Sequence, residues 1–324
     1  MSADPSQFEE PIVRIRRRIE ELTASNSAGD SSAETDPARE AELAELRQKL
    51  TKVSSEIYSN LTPWQKTLVA RHPQRPYTLD FIAAMIDEWS EIHGDRKFAD
   101  DAAVVTGFGR FKGQAVCVVG HQKGRNTKEK VVRNFGQPRP EGFRKVLRVM
   151  QLAEKFRLPI LSFIDTQGAY PGLGAEERGQ AEAIAVNLRE MAALQVPIII
   201  SVIGEGGSGG ALALGVGDRV LMLEHAVYSV ISPEGCAAIL WKNPSAAPDA
   251  AAAMKITAPD LKKLNVIDEI VPEPPGGAHA DPAAAAELLA PFIERALKEL
   301  TKLKPAQLVD ERYKKFRRMG VFEK

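Results

Sequence analysis

Apolar residues recur at three-four spacing near the N-terminus, at Ile12, Ile15, Ile19 and Leu22 and again at Leu43, Leu46, Leu50, Val53 and Ile57. Each set draws a narrow stripe along a highly charged helix, so the two segments read as the arms of a helical hairpin. Between them, Thr23 to Pro37 is rich in Ser, Ala, Asp and Gly and has no periodicity, the composition of a mobile linker. Thr62-Pro-Trp-Gln65 combines a cap hydroxyl, a proline at the first helical position and a glutamine three residues on, which marks a new helix. Leu79, Ile82, Met85, Ile86 and Trp89 carry a further amphipathic helix to a stop at Gly94.

From Ala103 the period changes. Ala103 to Phe111 and Gln114 to Val119, joined through Lys112-Gly113, read as a hairpin. After it the pattern gives a helix (Gly142 to Phe156), a strand (Pro159 to Ile164), a helix (Glu176 to Leu194), a strand (Pro197 to Ile203), a short helix (Gly210 to Leu214) and a strand (Arg219 to Leu223). Strands alternating with helices imply an α/β core that binds ligands at the carboxyl ends of its strands. Asn265 to Val271 reads as a last strand, Glu273 to Ala280 as a loop and Pro282 to Lys302 as a terminal amphipathic helix, with no internal repeat.

The densest chemical signal is Ile198 to Asp218, where a buried strand runs through glycines into a helix. Glycine at this density means that backbone rather than side chains approaches something closely. Amides in the first turn of a helix lack intrahelical acceptors, so Gly209-Gly210 is a candidate receptor for an anion or a developing oxyanion. Gly204, Gly206 and Gly209 also fit the spacing of the dinucleotide fingerprint, with Glu224 where a ribose-binding acid is expected. Gly215 and Gly217 interrupt the following helix, however, and a strand begins at about Arg219, which makes the crossover too short for a regular βαβ unit. No Gly-Lys-Ser/Thr ends any of these runs, which excludes a P-loop.

Composition narrows the picture. The 324 residues are 44% apolar, enough for a full core, and 43 basic residues balance 43 acidic ones. No overall field therefore draws the chain to nucleic acid or to an acidic membrane. Cys117 and Cys236 form no Cys-x-x-Cys pair or zinc cluster, and no metal ligand set is assigned to this chain. The longest apolar stretch, Val196 to Ile203, falls far short of the ~20 residues that span a bilayer, and the expected location is the cytoplasm.

Five blocks then occur in order: Arg71-His-Pro-Gln-Arg-Pro-Tyr77, Gly120-His-Gln-Lys-Gly-Arg125, Asp165-Thr-Gln-Gly-Ala-Tyr-Pro-Gly172, the glycine turn from Ile203 to Asp218, and Tyr228-Ser-Val-Ile-Ser-Pro-Glu-Gly-Cys236. In these blocks the chain resembles the alpha subunits of bacterial acetyl-CoA carboxylase carboxyltransferase, over nearly its whole length. The resemblance implies a crotonase-like ββα superhelix with an N-terminal helical extension and C-terminal helices. The corresponding division is a helical hairpin and connecting helix at 1–76, the core at 77–272 and a C-terminal loop and helices at 273–324. It also implies an α2β2 assembly with a zinc-ribbon beta subunit, the zinc lying on that partner alone. The implied reaction moves a carboxyl group from carboxybiotin, carried on a biotin carboxyl carrier protein and charged by biotin carboxylase, to acetyl-CoA, giving malonyl-CoA for fatty acid biosynthesis. Carried over by residue, the oxyanion amides fall on Gly209 and Gly210, the turn before them on Gly206 and Gly207, and biotin contacts on Gly168 and Ala169. Gln167 stands where the family usually has proline, which implies a looser loop there. Lys123 and Arg125, in a basic run with Lys128, Lys130 and Arg133, are candidates for a carboxylate or the CoA phosphates.

Such a transfer asks little of acidic or basic side chains and much of hydrogen-bond donors aimed at charged oxygens. A valine at Gly210 is expected to fill the space over the amides and leave the fold intact. His121 reads as a hydrogen-bonded structural histidine and Ser208 as a turn-former, since no Asp and His follow it in nucleophile-elbow order. Glu234, after Ser232-Pro233, reads as part of a helix cap. Two other functions stand beside this one: a self-contained acyl-CoA hydratase or isomerase, which the glycine turn alone does not exclude but which needs a carboxylate pair, and a non-catalytic scaffold whose helical hairpin organises a complex.

Overall fold

The computed structural model describes residues 7–27 and 37–320. In chain order these form α1 (Glu10–Ser27), α2 (Pro37–Ser59), α3 (Pro63–Ala70), α4 (Thr78–Met85), β1 (Ile86–Glu91), β2 (Val104–Phe111), β3 (Gln114–His121), α5 (Thr127–Val132), α6 (Pro140–Lys155), β4 (Ile160–Thr166), α7 (Leu173–Glu177) and α8 (Gln180–Ala193). There follow β5 (Ile198–Gly207), α9 (Ser208–Leu212), β6 (Arg219–Leu223), β7 (Val227–Ser229), α10 (Pro233–Trp241), α11 (Ala247–Met254), α12 (Ala258–Lys263), β8 (Glu269–Val271), α13 (Pro282–Leu300) and α14 (Pro305–Arg317).

The eight-stranded sheet runs β1-β2-β3-β4-β5-β6-β8, with β7 paired to the far end of β5. β1, β2 and β3 are antiparallel neighbours, while β3 through β6 and β8 are parallel. The parallel strands are apolar runs covered on both sides, with Val116 to Val119, Ile160 to Ile164 and Ile198 to Ile203 all buried, as central parallel strands require. α6, α8 and α13 close the core through Phe143, Val146, Met150, Met191, Leu289 and Ile293.

Local chemistry sets several of these boundaries. The Thr62 side chain accepts from the Gln65 backbone amide at 3.2 Å, and the Gln65 side-chain Oε1 accepts from the Thr62 backbone amide at 2.8 Å, which is the capping box expected for α3. β2 and β3 are joined by Lys112 (φ 48°) and Gly113 (φ 81°), the two left-handed residues that a tight hairpin of right-handed twist demands.

The helix expected from Leu79 to Gly94 is corrected. It ends at Met85, and Ile86 to Glu91 become β1 on the free edge of β2. The physical reason lies in β2, where Gly107 and Gly109 carry no side chains. A Cβ at Gly107 would fall on the Ser90 carbonyl and 2.6 Å from the Trp89 ring, and one at Gly109 would fall on Ile86, so β1 fills a slot that glycine opens. Tertiary pairing overrides helical periodicity there. The single helix expected from Glu176 to Leu194 is likewise broken at Gly179 into α7 and α8. The last strand is confined to Glu269–Val271.

α1 and α2 form the expected hairpin. Within it Ile12, Tyr58 and Leu61 pack with Val69 of α3. Of the linker expected over Thr23 to Pro37, Thr23 to Ser27 complete α1, Pro37 opens α2, and the rest lies outside the described residues. α14, too polar to show in the hydrophobic pattern, is held by a buried Arg312. Its guanidinium donates to both Asp218 carboxylate oxygens at 2.9 Å and to the carbonyls of Met191, Leu194 and Val196.

A second buried pair ties the segment after α3 to the sheet. Arg75 donates to both Glu273 oxygens at 2.6 and 2.9 Å and to the Ile203 carbonyl at 2.7 Å, and both side chains are fully buried. Burial alone would raise the Glu273 carboxyl, but the charge and hydrogen bonds of Arg75 outweigh it and bring it down to about 2. Because the folded value lies below the ordinary 4.5, this stabilisation is full above pH 4.5 and is lost as pH falls toward 2. Arg75→Met, which strands a buried carboxylate, should destabilise the chain by about 3–5 kcal/mol. Urea unfolding at neutral pH measures this, and a loss under 1 kcal/mol would be incompatible with the pairing described.

Candidate active site

The glycine turn lies at the carboxyl ends of β4 and β5, where an α/β sheet offers its strand termini. β5 stays fully buried through Gly207, pairing Gly206 with Thr166 of β4 and with Tyr228 of β7. The chain then reverses sharply at Ser208, a non-glycine residue with φ of 54°, into α9. The first amides of α9, on Ser208, Gly209 and Gly210, have no acceptor within the helix.

The second expected segment comes to the same place. A Cβ on Gly210 would lie 2.5 Å from the Ala169 amide nitrogen and 2.5 Å from the Gly168 carbonyl carbon, and one on Gly207 would overlap the Gln167 carbonyl. The two glycine-bearing segments are therefore packed backbone to backbone. Gly168 adopts φ of 150°, and the Thr166 hydroxyl, accepting from the Gly168 amide at 3.0 Å and donating to the Gly168 carbonyl at 2.9 Å, pins the loop. Gln167 meets Gly207 through its backbone carbonyl.

This packing also corrects the expectation for Gly210. A side chain there meets the 168–169 backbone and not open space, so substitution displaces the loop. Gly209 is the open position, where a Cβ would find only Ile184 side-chain carbons at 3.5 and 3.7 Å. Gly209, Ser208, Gly168, Ala169, Ile184 and Val230 line a cleft of about 580 Å³.

The dinucleotide reading loses its footing on the same distances. A Cβ on Gly204 would fall on the Asp165 carboxylate and one on Gly206 would lie 2.8 Å from the Tyr228 ring, so these glycines back onto protein. Burial pushes the Tyr228 hydroxyl up to about 12, consistent with a ring that acts as packing.

His121 is structural, as read from the sequence. It is fully buried, and burial pushes its pKa down to about 4, so the ring is neutral. Nδ1 accepts from the Asp165 amide at 3.4 Å, so Nε2 carries the proton and donates to the Gly210 carbonyl at 3.2 Å. The histidine thereby fixes the peptide planes at the start of α9. Ser208 is exposed in the cleft, and no hydrogen bond to its hydroxyl links it to an acid or base among the described residues.

The basic run is divided. Lys123 donates to Asp165 at 2.6 Å, and Asp165 also accepts from the Glu205 amide at 2.9 Å behind the turn. Arg125 pairs with Asp80, donates to the carbonyls of Pro73 and Arg75, and stacks 4.0 Å over the Tyr77 ring. Arg133 donates to the Ala102 carbonyl. The first two lie beside the turn and not in its cleft, with Lys123 lining a small neighbouring cavity that Arg71 and Gln167 connect to it.

Sequence reasoning missed one network. Arg71 donates to both oxygens of Glu205 at 2.7 and 3.0 Å and to Glu234 at 2.6 and 3.3 Å. The Ser232 hydroxyl accepts from the Gly235 amide at the start of α10, and the Glu234 carboxylate, beside its own first-turn amide, turns to Arg71 as well. Burial of Glu234 is outweighed by the Arg71 hydrogen bonds, which hold its carboxyl below the usual range. The signal was present in the block that begins at Arg71, but the partners lie 134 and 163 residues away.

What this arrangement offers is a floor of fixed backbone amides with, among the described residues, no free acid or base lining its cleft. Comparison with known proteins gives the family. A family model described as acetyl co-enzyme A carboxylase carboxyltransferase-like matches residues 5–320. The acetyl-coenzyme A carboxylase carboxyl transferase subunit alpha of Bordetella pertussis is 56% identical over 319 residues, covering 98% of this chain and 97% of its own. Among solved structures, transcarboxylase 12S aligns with a TM-score of 0.53 at 20% identity over 68% of this chain and 44% of its own. The beta subunit of Pseudomonas aeruginosa geranyl-CoA carboxylase aligns with a TM-score of 0.55 at 18% identity over 76% of this chain and 46% of its own. These likenesses bear out the crotonase-like α/β fold, and among the described residues no helix is long and apolar enough to cross a membrane. By the family model and by identity over almost its full length, the chain belongs to the acetyl-CoA carboxylase carboxyltransferase alpha-subunit family.

Proposed function

We propose that this chain forms the biotin side of a carboxyl transfer from carboxybiotin, delivered on a separate carrier protein, to acetyl-CoA. The observation that carries the reading is the packing of Gly207 and Gly210 against Gln167 to Ala169, which leaves backbone amides as the polar groups of the turn. The cleft suits a ureido ring: amide donors lie at its floor, and Ile184, Pro171, Val230 and Ile231 give apolar walls. When bound, carboxybiotin supplies the carboxyl group and, once that is released, the base for the acetyl methyl proton.

The amides of Gly209 and Gly210 then hold the ureido oxygen as it gains charge, and Gly168 and Ala169 orient the ring from the facing loop. A preorganised donor of this kind is worth about 2.7–4 kcal/mol of barrier. Holding both substrates in alignment is worth more, about 7–11 kcal/mol. Charge develops on a second oxygen, that of the thioester enolate, and this single turn serves one of the two. The second site and most of the CoA contacts belong to a partner, which we assign to a zinc-ribbon beta subunit in an α2β2 assembly; Lys123 and Arg125 stand at the edge where CoA phosphates approach.

A hydratase is the lesser reading. Its acid must give up a proton, whereas Glu234 is held ionised by Arg71 and shares that guanidinium with Glu205. With the partner and carboxylated carrier present, acetyl-CoA should be converted to malonyl-CoA, followed by mass spectrometry of the products, while an enoyl-CoA should stay unhydrated. Hydration of the enoyl-CoA without carboxyl transfer would reject the reading.

A further inference from the structure

The basic run that follows β3 is only partly neutralised. Lys123 engages Asp165 and Arg125 engages Asp80, whereas Lys128, Lys130 and Arg133 meet no carboxylate among the described residues. Glu129, the acid of α5, is occupied: its carboxylate accepts from the Arg125 amide at 2.8 Å and from the Asn126 side chain at 2.7 Å. The same short helix exposes apolar side chains. Val131 is 63% exposed, Val132 60% and, just beyond the helix, Phe135 54%. Large apolar side chains and free cations thus alternate from Lys128 to Phe135.

The backbone holds Phe135 outward at a cost. Asn134 (φ 46°), Phe135 (φ 56°) and Gly136 (φ 75°) are successive left-handed residues, a conformation that a bulky side chain rarely adopts. The turn is nevertheless fixed. The Asn134 side chain donates to the Gln137 carbonyl at 2.8 Å, the Gly136 amide donates to the Arg133 carbonyl at 2.8 Å, and a Cβ on buried Gly136 would lie 2.7 Å from the Lys123 side chain. An exposed aromatic ring on a strained backbone is offset by nothing inside this chain, and such strain concentrates where a segment binds or works. The location is the edge of the cleft. Gln137 lines the cleft, and Phe135 lines the small cavity of about 210 Å³ that Arg71 and Gln167 join to it. Two residues span at most about 7 Å, so the apolar patch is part of the rim of the cleft.

We infer that α5 and the turn after it are the docking surface for the carrier protein that brings biotin to the cleft, through a carrier face that is apolar at its centre and acidic at its edge. The inference rests on the reading of the cleft as the biotin side. A carrier must arrive and leave in every turnover, so its interface must be small and its approach fast. A few exposed apolar side chains among unpaired cations give that combination, since rim charge speeds association more than it tightens binding. Coenzyme A fits this surface less well, because Val131 and Val132 stand on the outside of a helix and small ligands take concave sites. A resident subunit is better matched by the consecutive exposed run Ile239-Leu240-Trp241 on α10, since permanent interfaces are the more hydrophobic ones.

The test uses the assembled complex in the reverse direction, with malonyl-CoA as donor and either the biotinylated carrier protein or free biotin as acceptor. In the double variant Val132→Gln with Phe135→Asn, kcat/KM for the carrier should fall about tenfold or more, mainly through KM, the scale of losing an interface aromatic. Asparagine tolerates the left-handed backbone, so the turn keeps its shape. Turnover with free biotin and KM for malonyl-CoA should stay within about twofold of wild type, as independent sites do. Lys128→Glu should lower kcat/KM for the carrier and flatten its decline with added salt, again without changing the rate with free biotin. An unchanged carrier KM, an equal loss with free biotin, a raised KM for malonyl-CoA or a weakened subunit assembly in sedimentation would each overturn the proposal. If the wild-type complex carboxylated neither acceptor, the carboxyl-transfer reading itself would be rejected, and the role of this surface with it.

Discussion

Gly209→Val should lower turnover in the assembled enzyme by about a hundredfold or more while leaving the chain folded. A Cβ at this position meets only Ile184 carbons, at 3.5 Å, so the backbone of the turn need not move. The branched side chain instead enters the cleft over the amides and keeps a ureido oxygen from reaching them. Loss of a single oxyanion donor costs about 10²–10³ in kcat, and that is the scale expected here. Gly210→Val differs in kind, since its side chain pushes on Gly168 and Ala169, so it should lose stability together with activity. Steady-state kinetics beside thermal unfolding separates the two. If Gly209→Val turned over normally in a correctly assembled complex, the amides would not be the site of charge stabilisation.

How much of this was legible beforehand depended on the range of the interaction. The capping box at Thr62 and Gln65, the Lys112-Gly113 hairpin and the apolar parallel strands are all written within a few residues, and each appears where the pattern places it. The glycine turn was legible for the same reason. β1 was not, because its strand character comes from a slot in β2 about twenty residues later and not from its own helical spacing. α14 hid behind its charges, since the side chain that anchors it is an arginine whose partner, Asp218, is 94 residues away. Lys123 and Arg125 looked like a free basic run, yet Asp165 and Asp80 engage them. Charge can be counted along a chain, but pairing is set by the fold. The Gly210 expectation failed similarly: the sequence shows that a glycine is present, and only the packing shows which neighbour its missing side chain would have met.

The partner requirement carries the largest effect of all. A turn that stabilises one oxygen leaves a reaction that charges two without half of its catalytic groups, so the isolated chain should show no detectable transfer. Activity should appear on adding a zinc-ribbon beta subunit and should follow the concentration of complex, not of total chain, as linkage requires when only the assembled state is competent. The reverse reaction is the most direct measurement: malonyl-CoA and biotin are supplied, acetyl-CoA formation is followed, and the partner is titrated from zero at fixed chain concentration. The account predicts no acetyl-CoA at zero partner and a rise that saturates at one partner per chain. Robust turnover by the chain alone, shown by mass spectrometry to be free of any partner, would contradict it.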